Sequence, residues 1–182
     1  MSQRAPRGPG YESLAPQNPA PQNPDFEART RDSFARQKAM AFIGARLEAV
    51  RPGEVEIGLD YREELTQQHG FIHGGIVGML ADNACGYAAF SLLPAESSIV
   101  TVEYKLNLLA PAEGEGFVAR GRVLRVGRSL IVAEAAVFAL RQGEERQVAA
   151  ALGTLMALPG RSDSGRADGP RGEAAQIARG AA

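Results

Sequence analysis

The stretch HGGIVGMLADNACGYAAFSL, residues 73–92, constrains this chain more than any other. A proline-free run of small and apolar residues at this length reads as a helix that is buried all round. Such a helix needs other elements to wrap it. Gly74, Gly75, Gly78 and Gly86 lie inside it, and each glycine costs a helix roughly 1 kcal/mol against alanine. Something must require that smallness, either close packing on a sheet or close approach of a ligand. The segment also holds one carboxylate, Asp82, with no cation nearby in sequence. A charge in an apolar helix is costly unless it is partnered or functional.

The remaining elements supply the wrapping. TRDSFARQKAMAFI at 30–43 reads as one helix, with Asp32 or Ser33 as cap and Gly44 as stop. ARLEAV, RPGE and VEIGLDY read as strand, tight turn and strand. In IVTVEYKLNLL at 99–109, strict alternation places Val100, Val102, Tyr104, Leu106 and Leu108 on one face and Thr101, Glu103, Lys105 and Asn107 on the other. FVARGRVLRV, SLIVAEAAVFAL and RQVAAALGTLMAL follow as three more strands, joined by short GR and RQGEE turns that suit antiparallel hairpins. The fold class is therefore α+β, an antiparallel sheet wrapped around one long central helix.

Residues 1–26 are rich in Pro, Gln, Asn and Gly, and 159–182 have a similar low-complexity character. Neither buries enough apolar surface to offset its ordering entropy, so both read as disordered tails around one domain at 27–158. A net charge of −1 gives no pull toward nucleic acid or anionic membrane. No apolar run reaches the length of a membrane span. No secretory signal is expected from the first residues. The one cysteine, Cys85, precludes an internal disulfide and suits the cytoplasm.

The N-terminus of the long helix is a natural oxyanion site. Its first N–H groups lack intrahelical partners and carry partial positive charge, and Gly74 and Gly75 let a substrate oxygen come close. Asp82, eight residues after Gly74, lies about 12 Å further along the axis. A carboxylate that attacks a carbonyl, or activates water beside it, must come within about 3 Å. One helix therefore cannot bring both groups to one carbonyl. Two copies running antiparallel across a two-fold axis can, which predicts a homodimer with two composite sites.

HGGIVGMLAD, with LTQQHGFIHGG upstream and VTVEYKLNLLAPA and VGRSL downstream, resembles the hotdog-fold acyl-CoA thioesterases of the phenylacetate-degradation (PaaI) type. The resemblance spans roughly residues 34–157. It implies Asp82 as nucleophile or general base and the Gly74 amide as the donor that polarises the thioester carbonyl. Gln67 matches an Asn or Gln that positions the carbonyl or the water, and is the less common of the two. Thr101 falls where some relatives position the attacking water, and His73 orients the helix entry. Gly75 lies against substrate, and the Gly127-Arg128 turn matches a segment that contacts the CoA phosphates. One branch uses Thr four residues after the carboxylate; here that position is Gly86. The resemblance implies an acyl-CoA substrate, no metal or redox cofactor, no nucleic-acid or membrane partner, and a homodimer that in some relatives pairs again.

Other readings carry less. His69 and His73 are spaced for a metal, but the intervening glycine argues against a regular helix and no zinc-peptidase Glu is present. Cys85 reads as a buried, inert thiol. The glycines do not form a dinucleotide fingerprint. Arg120, Arg122 and Arg125 could form a phosphate-attracting patch or a plain solvated face. Ala81, Ala84 and Ala88, with Met79 and Tyr87, could line a medium or aromatic acyl pocket. The alternatives in function are a hotdog enoyl-CoA hydratase or dehydratase and a non-catalytic acyl-CoA-binding module.

Overall fold

Local chemistry sets the order of elements. In this computed structural model, which describes residues 19–161 and residue 163, the chain runs α1 (Phe26–Ala35), α2 (Lys38–Ile43), β1 (Arg46–Arg51), β2 (Glu54–Asp60), a single 3-10 turn (Glu63–Leu65), α3 (Gly74–Phe90), β3 (Ser97–Leu108), β4 (Gly116–Val126), β5 (Leu130–Arg141) and β6 (Glu144–Pro159). Most of the tails expected at 1–26 and 159–182 lies outside the described residues. The six strands form one antiparallel sheet in the order β1-β2-β4-β5-β6-β3. α3 packs against it, making the expected sheet around a long helix. No helix among the described residues is long and apolar enough to cross a membrane.

The hairpin turns follow their residues. Gln142 and Gly143 both have positive φ (51° and 83°) between the paired Arg141 and Glu144. This two-residue connection matches the right-handed twist of the strands it joins. Gly44 closes α2 in the left-handed region at φ 78°, as a helix stop should.

The first helical segment differs from expectation. Residues 30–43 form two helices, not one, and the first begins at Phe26. Asp25 holds the N-cap position, while Asp32 and Ser33 lie inside α1. The break falls at Gln37, whose backbone is extended (ψ 100°). Its amide donates to the Tyr87 hydroxyl of α3 at 3.0 Å, and Ser33 Oγ meets the same hydroxyl at 3.2 Å. Turning there lets α2 bury Met40 and Ile43 completely.

The faces of β3 also differ. Thr101 pairs with Leu155 but Glu103 pairs with Thr154, so Val102 is an extra residue, a β-bulge. A one-residue slip exchanges the two faces of a strand. Ile99 and Thr101 before the bulge therefore share the helix-facing side with Tyr104, Leu106 and Leu108 after it. Val100 and Val102 point away and are exposed.

Close approach explains the small residues of α3. Ala81, Ala84 and Ala88 are fully buried in the core. They are the contact surface of helix on sheet and not the lining of an acyl pocket, a correction to the sequence reading. The tightest contact comes from the sheet side. A Cβ on Gly121 of β4 would lie 2.1 Å from the Ala84 carbonyl oxygen. Within α3, a Cβ on Gly74 would meet Leu108 at 2.8 Å and one on Gly78 would meet the Tyr104 hydroxyl at 3.2 Å.

Candidate active site

The entry to α3 is fixed by its own cap. His73 occupies the N-cap with extended backbone (φ −59°, ψ 136°), and its Nδ1 accepts from the Gly75 N–H at 2.9 Å. The N–H groups of Ile76 and Val77 both donate to the His73 carbonyl. Of the first-turn donors, the Gly74 N–H is thus left without an acceptor among the described residues. It opens on a cavity of about 570 Å³ whose lining includes Gln67, His73, Phe71, Leu108 and Val148.

Gln67 is held by a tight turn. Its N–H donates to the Phe71 carbonyl, and its own carbonyl accepts from Gly70, where φ is +80°. The side-chain Oε1 accepts from the His69 N–H at 2.7 Å. Fixing the oxygen in this way commits the amide nitrogen to donate. Gln67, His73 and Gly74 therefore come together on one cavity.

Asp82 and Thr101 come together on another. Thr101 Oγ1 donates to Asp82 Oδ1 at 2.8 Å, a contact that the bulge at Val102 makes possible. Asp82 is half-buried. Burial raises its pKa above the ordinary carboxylate value, and the Thr101 hydrogen bond opposes that rise. The adjoining cavity, about 250 Å³, reaches from Asp82 and Thr101 past Gly86 to Tyr87, Ser33 and Gln37. The sequence reading named Ser33 only as a helix cap and did not single out Gln37 or Asn83. Ser33 and Gln37 belong to a helix remote in sequence, and no local pattern announces that its break rests on Tyr87.

The two groups of residues sit at opposite ends of one antiparallel pair. Gly74 lies under Leu108 and Gly78 under Tyr104 and Leu106, while Asp82 bonds Thr101. α3 thus runs antiparallel to β3, a strand at the edge of the sheet. Eight residues of helix keep Gly74 and Asp82 about 12 Å apart within the chain.

The other expected residues fall outside these cavities. Gly75 is exposed, with its N–H taken by His73. Gly127 and Arg128 form the β4–β5 turn, where a Cβ on Gly127 would strike the Leu130 carbonyl at 2.7 Å, and neither lines the two cavities. Arg120 pairs with Glu145 at 2.6 Å, and Arg122 pairs with Glu134. These two arginines are engaged with carboxylates and do not form an open phosphate patch. Cys85 is buried and its thiol is pushed up to about 12, first by desolvation and then by Asp82. That is the behaviour of an inert thiol.

Comparison with known proteins bears on the family and the fold. The profile of the thioesterase superfamily matches residues 69–145. The crystal structure of a thioesterase family protein from Silicibacter pomeroyi shares 53% identity, covering 74% of this chain and 99% of that one, with a TM-score of 0.73. A protein of Halobacterium salinarum, named for an inferred esterase activity, is 35% identical over 54% of this chain and 68% of its own length. The 1,4-dihydroxy-2-naphthoyl-CoA hydrolase of Listeria monocytogenes is 26% identical over 50% of this chain and 75% of its own length.

Proposed function

The chain belongs to the thioesterase superfamily and has the hotdog fold, and from that premise we propose that it hydrolyses acyl- or aryl-acyl-CoA thioesters, as the phenylacetate-degradation (PaaI) type does. In this reading the enzyme is a cytoplasmic homodimer, able to pair again, and needs no metal or redox cofactor. The Listeria relative's name supports a CoA ester as substrate.

One observation carries the reading: the register of α3 against β3. Asp82 lies beside Thr101, and Gly74 lies beneath Leu108 of the same edge strand. A two-fold axis near Tyr104 and Lys105 would pair β3 with its copy antiparallel. Thr101 would then lie across from the partner's Leu108, and Asp82 would face the partner's Gly74. Edge strands are usually short, charged or covered. This one has twelve residues and exposes Val100, Val102, Tyr104 and Leu108 at 41, 54, 43 and 58%, which suits a covered interface.

The chemistry follows from the groups. The thioester carbonyl accepts from the Gly74 N–H at the helix N-terminus, with the Gln67 amide donating to the carbonyl or the water. Asp82 of the facing subunit either removes a proton from a water held by Thr101 or attacks the carbonyl itself. With water, the addition gives a tetrahedral oxyanion stabilised at Gly74. Its collapse breaks the C–S bond, and the CoA thiolate takes the proton from Asp82. With direct attack, a mixed anhydride forms and water opens it. Both routes give the free acid and CoA. A raised carboxyl pKa suits a base working near neutral pH.

The hydratase alternative needs a free catalytic histidine. His73 Nδ1 accepts from the Gly75 N–H, so the neutral ring carries its proton on Nε2 and has no free lone pair to act as the base, which favours hydrolysis. The test is thiol release from acetyl-, hexanoyl-, palmitoyl-, benzoyl- and phenylacetyl-CoA by wild type and Asp82→Ala. Turnover by wild type and its loss in the variant, with the assembly retained, is the expected result. No turnover of any ester, or full activity in the variant, would sink the proposal and favour a binding module.

A further inference from the structure

We infer that Asp163 closes an electrostatic latch over the cavity beside Asp82, and that its release from Arg36 and Ser98 opens that cavity to solvent. The latch is argued from its own residues; its effect on turnover rests on the thioesterase reading above, whose site it regulates.

Three parts of the chain line this cavity of about 250 Å³. α3 supplies Asp82 and Asn83, the break between α1 and α2 supplies Ser33 and Gln37, and β3 supplies Ile99 and Thr101. Asp163 lines it too and ties the second part to the third. Arg36, which ends α1, donates from Nη2 to Asp163 Oδ2 at 3.0 Å and from Nη1 to the Asp163 carbonyl. Ser98 of β3 donates to Asp163 Oδ1 at 3.5 Å. The chain comes to this position from β6 through a turn at Gly160, where φ is +70° and the N–H donates to the Glu96 carbonyl at 2.7 Å. Asp163 is thus a strap across the gap between α1 and β3, on the cavity that holds the carboxylate of α3.

The hold on this strap is weak. Pro159, Gly160 and Arg161 are exposed and bury no anchor between β6 and Asp163. The Arg36 side chain is 41% exposed and that of Asp163 28%, and ion pairs open to water contribute little and are screened by salt. The Ser98 bond is at the long limit for a hydroxyl donor. Release also strands no charge. Arg36 keeps Asp32, one turn back in α1, at 3.1 Å, while Ser98 and Asp163 regain water. β3 and β6 stay paired up to Ser97 and Pro159, so the strap can swing from Gly160 without disturbing the sheet. Segments with few buried contacts open locally at far lower cost than the fold as a whole.

The experiment measures how fast N-ethylmaleimide, an uncharged reagent, labels Asn83→Cys, with the wild type reporting background from the buried Cys85. Adding Asp163→Asn or Arg36→Gln should speed labelling severalfold. Raising salt from about 0.01 M to about 1 M shortens the screening length from about 30 Å to about 3 Å. It should speed labelling of Asn83→Cys alone, and much less once Asp163→Asn is present. Should Asn83→Cys fail to fold, Gly86→Cys takes its place, since a Cβ there meets Leu155 at an ordinary 3.7 Å. Labelling that is indifferent to both variants and to salt makes Asp163 a fixed wall and overturns the inference. A second arm ties the latch shut by combining Arg36→Cys with Asp163→Cys and bridging them with a disulfide-containing bis-maleimide. Bridging should remove most hydrolysis of hexanoyl-CoA, and reduction of the bridge should restore it. Hydrolysis unchanged by bridging also overturns the inference. The labelling arm needs no turnover, so it decides the latch even where no ester is hydrolysed, and the two readings fail separately.

Discussion

Asp82 is where chemistry and stability pull in opposite directions. Its pKa is raised by burial, so between the unfolded and folded values the native state holds more protons than the unfolded chain. Stability therefore falls as pH rises through that window, and the full cost of ionised Asp82 is present above it. Asp82→Asn keeps an oxygen for the Thr101 hydroxyl and carries no charge. It should lower kcat by roughly 10²–10⁴-fold and raise the unfolding midpoint at pH 7. That gain should vanish near pH 3, where both forms are neutral, as denaturation at the two pH values would show. Thr101→Val removes the bond that lowers the pKa, so the acid limb of kcat/KM should move to higher pH. Sequence alone picked out Asp82 as a charge in apolar surroundings and Gly74 as a donor at a helix start. The resemblance named Thr101, but periodicity could not place it beside Asp82, because a strict alternation turns Thr101 away and only the extra residue at Val102 brings it back.

At the scale of elements, two contacts set where α3 begins and how closely it lies on the sheet. His73→Ala removes the cap on Gly75 and should cost about 1 kcal/mol, with His73→Asn recovering most of it in chemical denaturation. Gly121→Ala should cost about 1–3 kcal/mol, since backbone and not a pliable side chain stands 2.1 Å from the new methyl. The kinds and order of the elements were largely legible, because a helix and strands of these lengths leave clear periodicities. The split of the first helix was not, for its cause is a hydrogen bond to Tyr87, fifty residues away from Gln37. The small residues of α3 were visible as a pattern, yet their purpose was divided. Ala81, Ala84 and Ala88 serve the sheet, and Gly74 and Gly78 clear room under β3.

For the whole molecule, the proposal makes each site the joint property of two chains. Gly74→Pro tests this, with Gly74→Ala as the control for the new Cβ, which must displace the Leu108 side chain. Proline suits the first helical position, the extended His73 backbone accepts a following proline, and the substitution deletes the Gly74 N–H. Asp82→Asn and Gly74→Pro should each be nearly inactive alone. Unfolded together and refolded, they should recover about a quarter of wild-type activity. Half the dimers would then be mixed, and each mixed dimer would hold one intact site out of two. No recovery on mixing would place the site within one chain.

The matched register of α3 and β3 also makes part of this chain intolerant of any change in length. The β5–β6 turn can gain residues at little thermodynamic cost, since loop closure depends only weakly on length. A single residue inserted between Gly75 and Ala81 would rotate Asp82 by about 100° and advance it by about 1.5 Å. The carboxylate would swing off Thr101 while Gly74 stayed under Leu108. Substitutions can accumulate along this helix as long as they stay small, but insertions and deletions cannot. The seven residues between Gly74 and Asp82 are a fixed gauge, and descendants of this chain can alter its graduations but not its length.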